Sequence, residues 1–332
     1  MVRLGLIGCG RIGRVHANSI DVHPRAELAA IYDPFEAAAR EVGTQYGAGW
    51  STEVDALIDD PTIDAVVVAS PTPTHVELLT RAVRAGKAVL CEKPIDLDLA
   101  RVDACRADIG ALTDRVMLGF NRRFDPSFRD VRSRVAAGEI GTLEQLVIIS
   151  RDPAPPPAGY VATSGGLFRD MTIHDFDMAR YFLGEVVEVT ATGANLISDE
   201  IAAAGDIDGA IVVLRGAQGV LCSITNSRRC AFGYDQRLEA FGELGMLTVA
   251  NQLPTSVRFS GAGHTEIAPP YHNFFLDRYT PAYRAEMDHF VTAVETGSTP
   301  SPGFADGRAA LVLADAANES LRTGATVKVL SA

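Results

Sequence analysis

Disulfide chemistry, basic charge and long hydrophobic runs are all missing from this 332-residue chain, and each absence excludes something. The five cysteines (Cys9, Cys91, Cys105, Cys222 and Cys230) stand singly with no CxxC pair. That pattern argues against a disulfide framework or a thiolate zinc site and suits reduced thiols in the cytoplasm. Acidic residues outnumber basic ones, 42 to 30, and the formal net charge of −12 has the wrong sign for a nucleic-acid or anionic-membrane surface. No apolar run approaches the ~18 residues of a membrane span. The short apolar start, MVRLGLIGCG, turns straight into glycines, as a strand does and a signal peptide does not. There is no internal repeat. What is present is an ordinary globular composition, 47% hydrophobic and 22% charged, in a chain too long for one core. Two domains are expected.

The first of them opens on a strand, Leu4–Gly8, followed by Gly8-Cys9-Gly10-Arg11-Ile12-Gly13 and a helix to about Val22. GxGxxG alone is a weak signal, but here its full context is met. A second strand, Glu27–Tyr32, ends at Asp33, twenty residues past Gly13. The glycines then serve the tight turn, the approach of pyrophosphate to backbone, and the packing of helix on strand. The helix start supplies amides and positive dipole to phosphate. Asp33 accepts hydrogen bonds from a ribose diol and repels a 2′-phosphate. Pro34 and Phe35 follow it, so no adjacent arginine is on offer and NAD is favoured over NADP.

Alternation continues with a helix near Ala37–Tyr46, a strand Ala65–Ala69, a helix Thr74–Ala85 and a strand Ala88–Cys91. A helix Leu97–Ile109 and a strand Val116–Phe120 follow. Buried strands between amphipathic helices predict a doubly wound parallel sheet, whose ligands sit beyond the carboxyl ends of the strands. Two such ends carry chemistry: Ser70-Pro71-Thr72-Pro73-Thr74-His75 and Glu92-Lys93-Pro94. His75 is either a helix-start residue or a cofactor contact. Lys93, with its backbone biased by the following proline, is either a site residue or a solvated lysine. Arg122 and Arg123 either contact substrate or open the helix Pro126–Ala137 beside Asp125 and Asp130.

Beyond that point the pattern becomes strand after strand: Leu143–Ser150, Val186–Ala194, Ala210–Leu214, Val220–Asn226, Gln236–Phe241 and Met246–Val249. This predicts a mostly antiparallel open sheet with an apolar face that invites a second copy of the chain. Two helices, Pro281–Thr296 and Phe304–Thr323, and a short strand Thr326–Leu330 close the chain.

One helix interrupts the strands. Read at ~100° per residue, Gly165–Gly184 places Asp170, His174, Asp177 and Tyr181 in a stripe spanning roughly 60°, between apolar flanks. Asp170 and His174 are i, i+4 neighbours, so the carboxylate can orient the imidazole as a general base. A purely structural pair at a helix start fits the spacing equally well. Asp175 points away from the stripe, which disfavours a metal site of His174, Asp175 and Asp177.

GxGxxG, SPTPTH, EKP and the later DMTIHDFD, in that order, resemble the Gfo/Idh/MocA oxidoreductases over essentially the whole chain. Within the family the resemblance is greatest to the bacterial inositol dehydrogenases, through Gly119-Phe120-Asn121-Arg122-Arg123-Phe124-Asp125 and DMTIHDFDM. The resemblance implies a Rossmann domain over 1–120 and an α+β domain for substrate binding and oligomerisation over 121–332. It implies NAD bound by Gly8, Gly10, Arg11, Ile12, Gly13, Asp33, Ser70, Pro71, His75, Glu92 and Lys93. Lys93 reaches substrate and nicotinamide ribose, His174 is the base, and Asp170 is its partner. Arg123, Asp152, Asp177 and Tyr234 join them around the substrate, though the family often has asparagine where this chain has Asp152. No metal is implied, and relatives assemble as tetramers. The implied reaction is oxidation of a secondary alcohol of a cyclic polyol, myo-inositol first, with scyllo-inositol or an aldose as sister specificities. A non-catalytic dinucleotide sensor is the rival class, and it would be expected to have lost Lys93 or His174.

Overall fold

Uninterrupted apolar strands need cover on both faces, and the first part of the chain supplies it by alternation. A computed structural model describes residues 1–329, with the backbone alone at Ala158 and Ala162. The elements run β1 (Val2–Ile7), α1 (Arg11–Asp21), β2 (Ala26–Tyr32), α2 (Glu36–Tyr46), β3 (Gly49–Ser51), α3 (Asp55–Ile58), β4 (Ala65–Val68), α4 (His75–Arg84), β5 (Ala88–Cys91), α5 (Leu99–Ile109) and β6 (Val116–Leu118). Their strands form one parallel sheet in the order β3-β2-β1-β4-β5-β6. The order reverses between β1 and β4, the switch point where such sheets hold ligands. β3 escapes the sequence pattern because three residues at a sheet edge, two of them exposed, carry no periodicity.

The second part continues with α6 (Pro126–Ala136), β7 (Leu143–Arg151), α7 (Ala158–Ser164), α8 (Gly166–Asp170), α9 (Ile173–Leu183), β8 (Val186–Ala194), α10 (Asp199–Ala203), β9 (Gly209–Gly216), β10 (Leu221–Ser227), β11 (Asp235–Gly242) and β12 (Gly245–Val249). A hairpin, β13 (Phe259–Gly261) and β14 (His264–Ile267), and α11 (Phe275–Arg278) follow. β15 (Val327–Lys328) joins the edge of the large sheet, whose order is β12-β11-β7-β10-β9-β8-β15. Leu330, the expected end of that last strand, lies outside the described residues. All neighbours are antiparallel except β7 and β10. The two faces differ as period-two strands require. Ala210, Val212 and Leu214 of β9 are buried, while Ile211 and Val213 are exposed. α9 lies along β7, and α6 along β11 and β12. α6 begins on Asp125, which accepts from the amides of Ser127 and Phe128 at 3.0 and 3.1 Å, with proline in the first turn.

Two long helices remain, α12 (Thr280–Thr296) and α13 (Phe304–Thr323). The chain forms two compact units, Met1–Phe124 with Pro281–Leu311, and Asp125–Thr280 with the chain from Val312. The expected cut at 120/121 had assigned everything beyond it to the second domain. Most of α12 instead belongs to the first unit. Tyr283 meets His16 edge-on at 5.8 Å, and Asp288 accepts from Arg25 Nη2 at 2.7 Å. In the same unit Arg308 pairs with Asp103 of α5, Nη2 to Oδ2 at 3.0 Å. Contacts across more than 200 residues of chain leave no local pattern to read.

Candidate active site

The three fingerprint glycines have three different surroundings. Gly8 has φ +103°, and a Cβ there would lie 2.7 Å from the Ala69 carbonyl oxygen. A Cβ on Gly13 would lie 2.0 Å from the Gly8 carbonyl oxygen, so helix and strand pack through it. A Cβ on Gly10 would meet nothing within 4 Å, leaving that backbone open to an approaching group. Gly10 caps α1 without a side-chain bond, and the helix ladder begins at Arg14 N on Gly10 O, 3.0 Å. The amides of Ile12 and Gly13 thus have no partner inside the helix. Asp33 is buried at the end of β2, with Oδ2 accepting from Cys9 N at 2.8 Å and Oδ1 from Phe35 N at 2.9 Å. It braces the turn and keeps further lone pairs for a ribose diol. Beside it the Cys9 thiol is pushed up to about 12, chiefly by burial and then by Asp33 itself, so it stays protonated. This cradle fits a dinucleotide: open backbone and helix amides for phosphate, a carboxylate for ribose.

At the neighbouring strand ends, Ser70 and Thr74 hydroxyls lie 2.6 Å apart. His75 is buried at the start of α4, with Nδ1 2.8 Å from Pro94 O and Nε2 2.8 Å from Ser70 O. Both ring nitrogens are taken inside the protein, so His75 brackets the two ligand-edge loops instead of offering its ring to a cofactor. Glu92 is similarly turned inward. Its Oε1 lies 2.7 Å from His16 Nε2 of α1, and a Cβ on Gly119 would crowd its carboxyl at 2.9 Å. Behind it sits Glu286 of α12, fully buried, neither oxygen hydrogen-bonded among the described residues. Burial, and secondly the charge of Glu92, push the Glu286 carboxyl well above its ordinary range. Lys93 stands half-buried between Glu92, which accepts its amide at 3.3 Å, and Pro94. The chain has only three lysines, and of the others Lys87 is spent on the carbonyls of Asp60 and Ile63, each at 2.6 Å, while Lys328 lies on β15. Arg122 and Arg123 are both buried, and Arg123 reaches Asp306 at 2.9 Å. Asp125, one of the partners the sequence offered them, is paired with Arg278.

In the second unit the structure corrects the sequence reading. Gly165–Gly184 is not one helix. α8 ends at Asp170, where the amides of Met171 and Thr172 both fold back on the Leu167 carbonyl at 2.9 and 3.0 Å. α9 starts afresh at Ile173, with Asp175 and Phe176 amides on Thr172 O, each at 2.8 Å. Asp170 and His174 therefore stand on either side of a two-residue junction, the one ending α8 and the other in the first turn of α9. Asp170 accepts from Tyr160 Oη at 2.8 Å and from Arg228 Nη1 at 3.1 Å. The same Nη1 lies 3.7 Å from Asp152 Oδ2. The start of α9 is pinned by a buried chain in which Thr172 Oγ1 donates to Asn226 Oδ1 at 2.7 Å and Asn226 Nδ2 to Asp175 at 2.8 Å. That leaves His174 half-buried in the first turn of α9, with Asp175 pointing away into the core as expected and Asp177 buried further along. Tyr234 is buried with its ring edge-on to Tyr279 at 5.9 Å.

Sequence reasoning missed Tyr160, Thr172, Asn226 and Arg228. One signal was legible. Cys222, Ile224 and Asn226 face inward from β10, and continuing the period of two puts Arg228 on that face.

Residues 2–120 match the family model described as an oxidoreductase family with an NAD-binding Rossmann fold, and residues 128–248 match the GFO/IDH/MocA C-terminal domain. The chain belongs to the Gfo/Idh/MocA oxidoreductase family. Family relatives resemble it end to end. The inositol 2-dehydrogenase of Rhizobium meliloti is 50% identical over 96% of this chain and 97% of its own. The crystal structure of a myo-inositol dehydrogenase from Corynebacterium glutamicum superposes with a TM-score of 0.98 at 55% identity, covering 100% of both chains. A scyllo-inositol dehydrogenase from Lactobacillus casei, solved with NAD(H) and scyllo-inositol, has a TM-score of 0.90 at 29% identity over 99% of each chain. This family member has no described helix long and apolar enough to cross a membrane.

Proposed function

We infer that the protein is an NAD-dependent inositol dehydrogenase that oxidises myo-inositol at a secondary hydroxyl to 2-keto-myo-inositol. One observation carries this reading: the chain matches inositol dehydrogenases over nearly its full length; with it we assign Lys93, Asp170 and His174, which the sequence resemblance points to, as the reacting residues. The dinucleotide cradle of Gly8, Gly10, Arg11, Ile12, Gly13 and Asp33 supports NAD as the oxidant, with Ser70, Pro71 and Lys93 at the adjoining strand ends. Bound NAD⁺ supplies the hydride acceptor. His174 takes the hydroxyl proton while the carbon gives up its hydride, so the C–O bond becomes a carbonyl and the balance is ketone, NADH and one proton. Asp170 orients the imidazole and favours the imidazolium that forms. Lys93 donates to the substrate oxygen as negative charge develops on it. A neutral polyol offers no charge to grip, so Arg123, Asp152, Asp177 and Tyr234 are assigned to its remaining hydroxyls. In this reading the unit of Met1–Phe124 with Pro281–Leu311 holds the dinucleotide, and the unit that begins at Asp125 supplies most of the substrate residues and assembles.

We further infer a homo-oligomer, a tetramer as the family suggests, built on the open face of the large sheet. Ile211, Val213, Leu221, Phe241 and Met246 are exposed there. Five buried free cysteines suit action in the cytoplasm. NADH absorbance across a panel of inositols and aldoses tests the substrate. The reading requires the highest kcat/KM with myo-inositol, and a preference for an aldose would overturn it. Light scattering tests the assembly, and a monomer would remove it.

A further inference from the structure

Arg228 is the most deeply buried arginine near the reacting residues, and no part of the mechanism above uses it. Its side chain is 2% exposed, and its Nε and Nη2 have no hydrogen-bond partner among the described residues. Its Nη1 donates to Asp170 Oδ2 at 3.1 Å, with Asp152 Oδ2 at 3.7 Å from the same nitrogen. Burying a guanidinium with most of its donors unused is costly, and replacing a buried ion pair as a whole by apolar side chains is often neutral or stabilising for the fold, although removing one partner alone destabilises it. Stability therefore gives no reason for an ion pair here. Its location does, because the two carboxylates beside Arg228 are the one assigned to His174, at the end of α8, and one assigned to substrate, just past β7.

The backbone reinforces this. Arg228 N donates to Asp208 O at 2.8 Å, and Asp208 in turn accepts the amides of Leu196, Ile197 and Ser198 at 2.8 to 2.9 Å. Asp152 N donates to Ser227 O at 2.9 Å, so the loop carrying Asp152 is hydrogen-bonded to the residue before Arg228. Arg228 thus projects from a braced strand end, while Asp170 ends a five-residue helix that has little rigidity of its own.

We propose that Arg228 is a positioning residue of the reaction: it holds Asp170, and with it Asp152, in the arrangement from which Asp170 directs His174. Tyr160 also donates to Asp170, but from a half-exposed tyrosine on the short helix α7. The proposal rests on the dehydrogenase reading given above.

A four-protein cycle tests it: native, Arg228→Met, Asp170→Asn and the double variant, each assayed for kcat and KM with NAD⁺ and myo-inositol and each melted without substrate. If Arg228 acts through Asp170, Arg228→Met lowers kcat by about 10²-fold, as misplacement of a catalytic group does. KM for NAD⁺ should stay unchanged. In the Asp170→Asn background the same substitution should then cost less than about threefold, because independent effects would multiply and these should not. Arg228→Lys, which keeps the charge, should recover part of the loss. Multiplicative losses in kcat would overturn the proposal, as would an Arg228→Met enzyme with native kcat. Coupling in the melts with none in kcat would make Arg228 a structural residue only, which also overturns it. If the native protein oxidises no polyol, the dehydrogenase reading fails by itself. The melts then decide the pairing, and absence of coupling there overturns it as well.

Discussion

The fingerprint turn at Gly8–Gly13 and the junction at Asp170–His174 both present polar groups at the start of a helix, but they are built from different materials. The first uses backbone. Three glycines leave carbonyls and amides to make the turn, and one side chain, Asp33, ties Cys9 and Phe35 amides together within a 27-residue stretch from Cys9 to Phe35. The second uses side chains drawn from far away: Arg228 is 58 residues from Asp170, and Asn226 is 51 from Asp175. A backbone site tolerates change in its neighbours and little in its glycines. A side-chain site depends on each partner, because removing one leaves another buried and unsatisfied.

The sharpest break in that comparison is expected at the side chains proposed to react. His174→Ala and Lys93→Ala should each lower kcat by about 10²- to 10⁴-fold. NADH affinity, measured by fluorescence titration, should stay near native in His174→Ala. A His174→Ala enzyme that keeps native kcat would remove this histidine as the base.

A smaller effect is expected one layer out. Asn226→Ala takes a donor from buried Asp175 and an acceptor from Thr172, a loss of about 1–3 kcal/mol of stability by urea unfolding. Because this network sets the start of α9, kcat should fall too, by about tenfold, while NADH still binds. Loss of stability with kcat intact would show that the network supports the fold without positioning His174.

On the backbone side, Asp33→Ser should narrow the preference for NAD⁺ over NADP⁺ by about tenfold in kcat/KM, the worth of one hydrogen bond to a charged group. An unchanged preference would mean that the turn alone selects the cofactor.

The smallest effect is a pH dependence. Glu286 ionises in the unfolded chain above its ordinary value of 4.5, whereas burial and then the charge of Glu92 oppose its ionisation in the fold. Its folded value is raised, so the stability it allows is complete below that ordinary value and is lost as pH rises toward the folded one. Glutamine does not titrate. The gain in Tm of Glu286→Gln over the native protein should therefore grow from acid to neutral pH, and a gain independent of pH would show that ionisation is not its source.

How much was legible follows the same division. The parallel sheet, the fingerprint, Asp33, and the open sheet with its alternating strands could be read directly, within a residue or two at most element ends. The glycine turn was legible because what it needs is a conformational permission, and glycine advertises that locally. The 165–184 stretch was misread because apolar periodicity spans a two-residue break as easily as a continuous helix. Only the hydrogen bonds of Met171 and Thr172 on Leu167 distinguish them. His75 and Glu92 sit where the strand-end motifs put them, yet their side chains face Pro94, Ser70 and His16, partners that motif position does not reveal.

By itself, then, the sequence determined most of the strands and helices and where the glycine turn lies, since these follow from periodicity and local backbone freedom. The tertiary structure alone decided that α12 joins the first unit, that Asp170 and His174 belong to separate helices, and that Arg228 grips Asp170. Those outcomes depend on side chains meeting across dozens or hundreds of residues, where burial rewards the pairing and no local spacing records it.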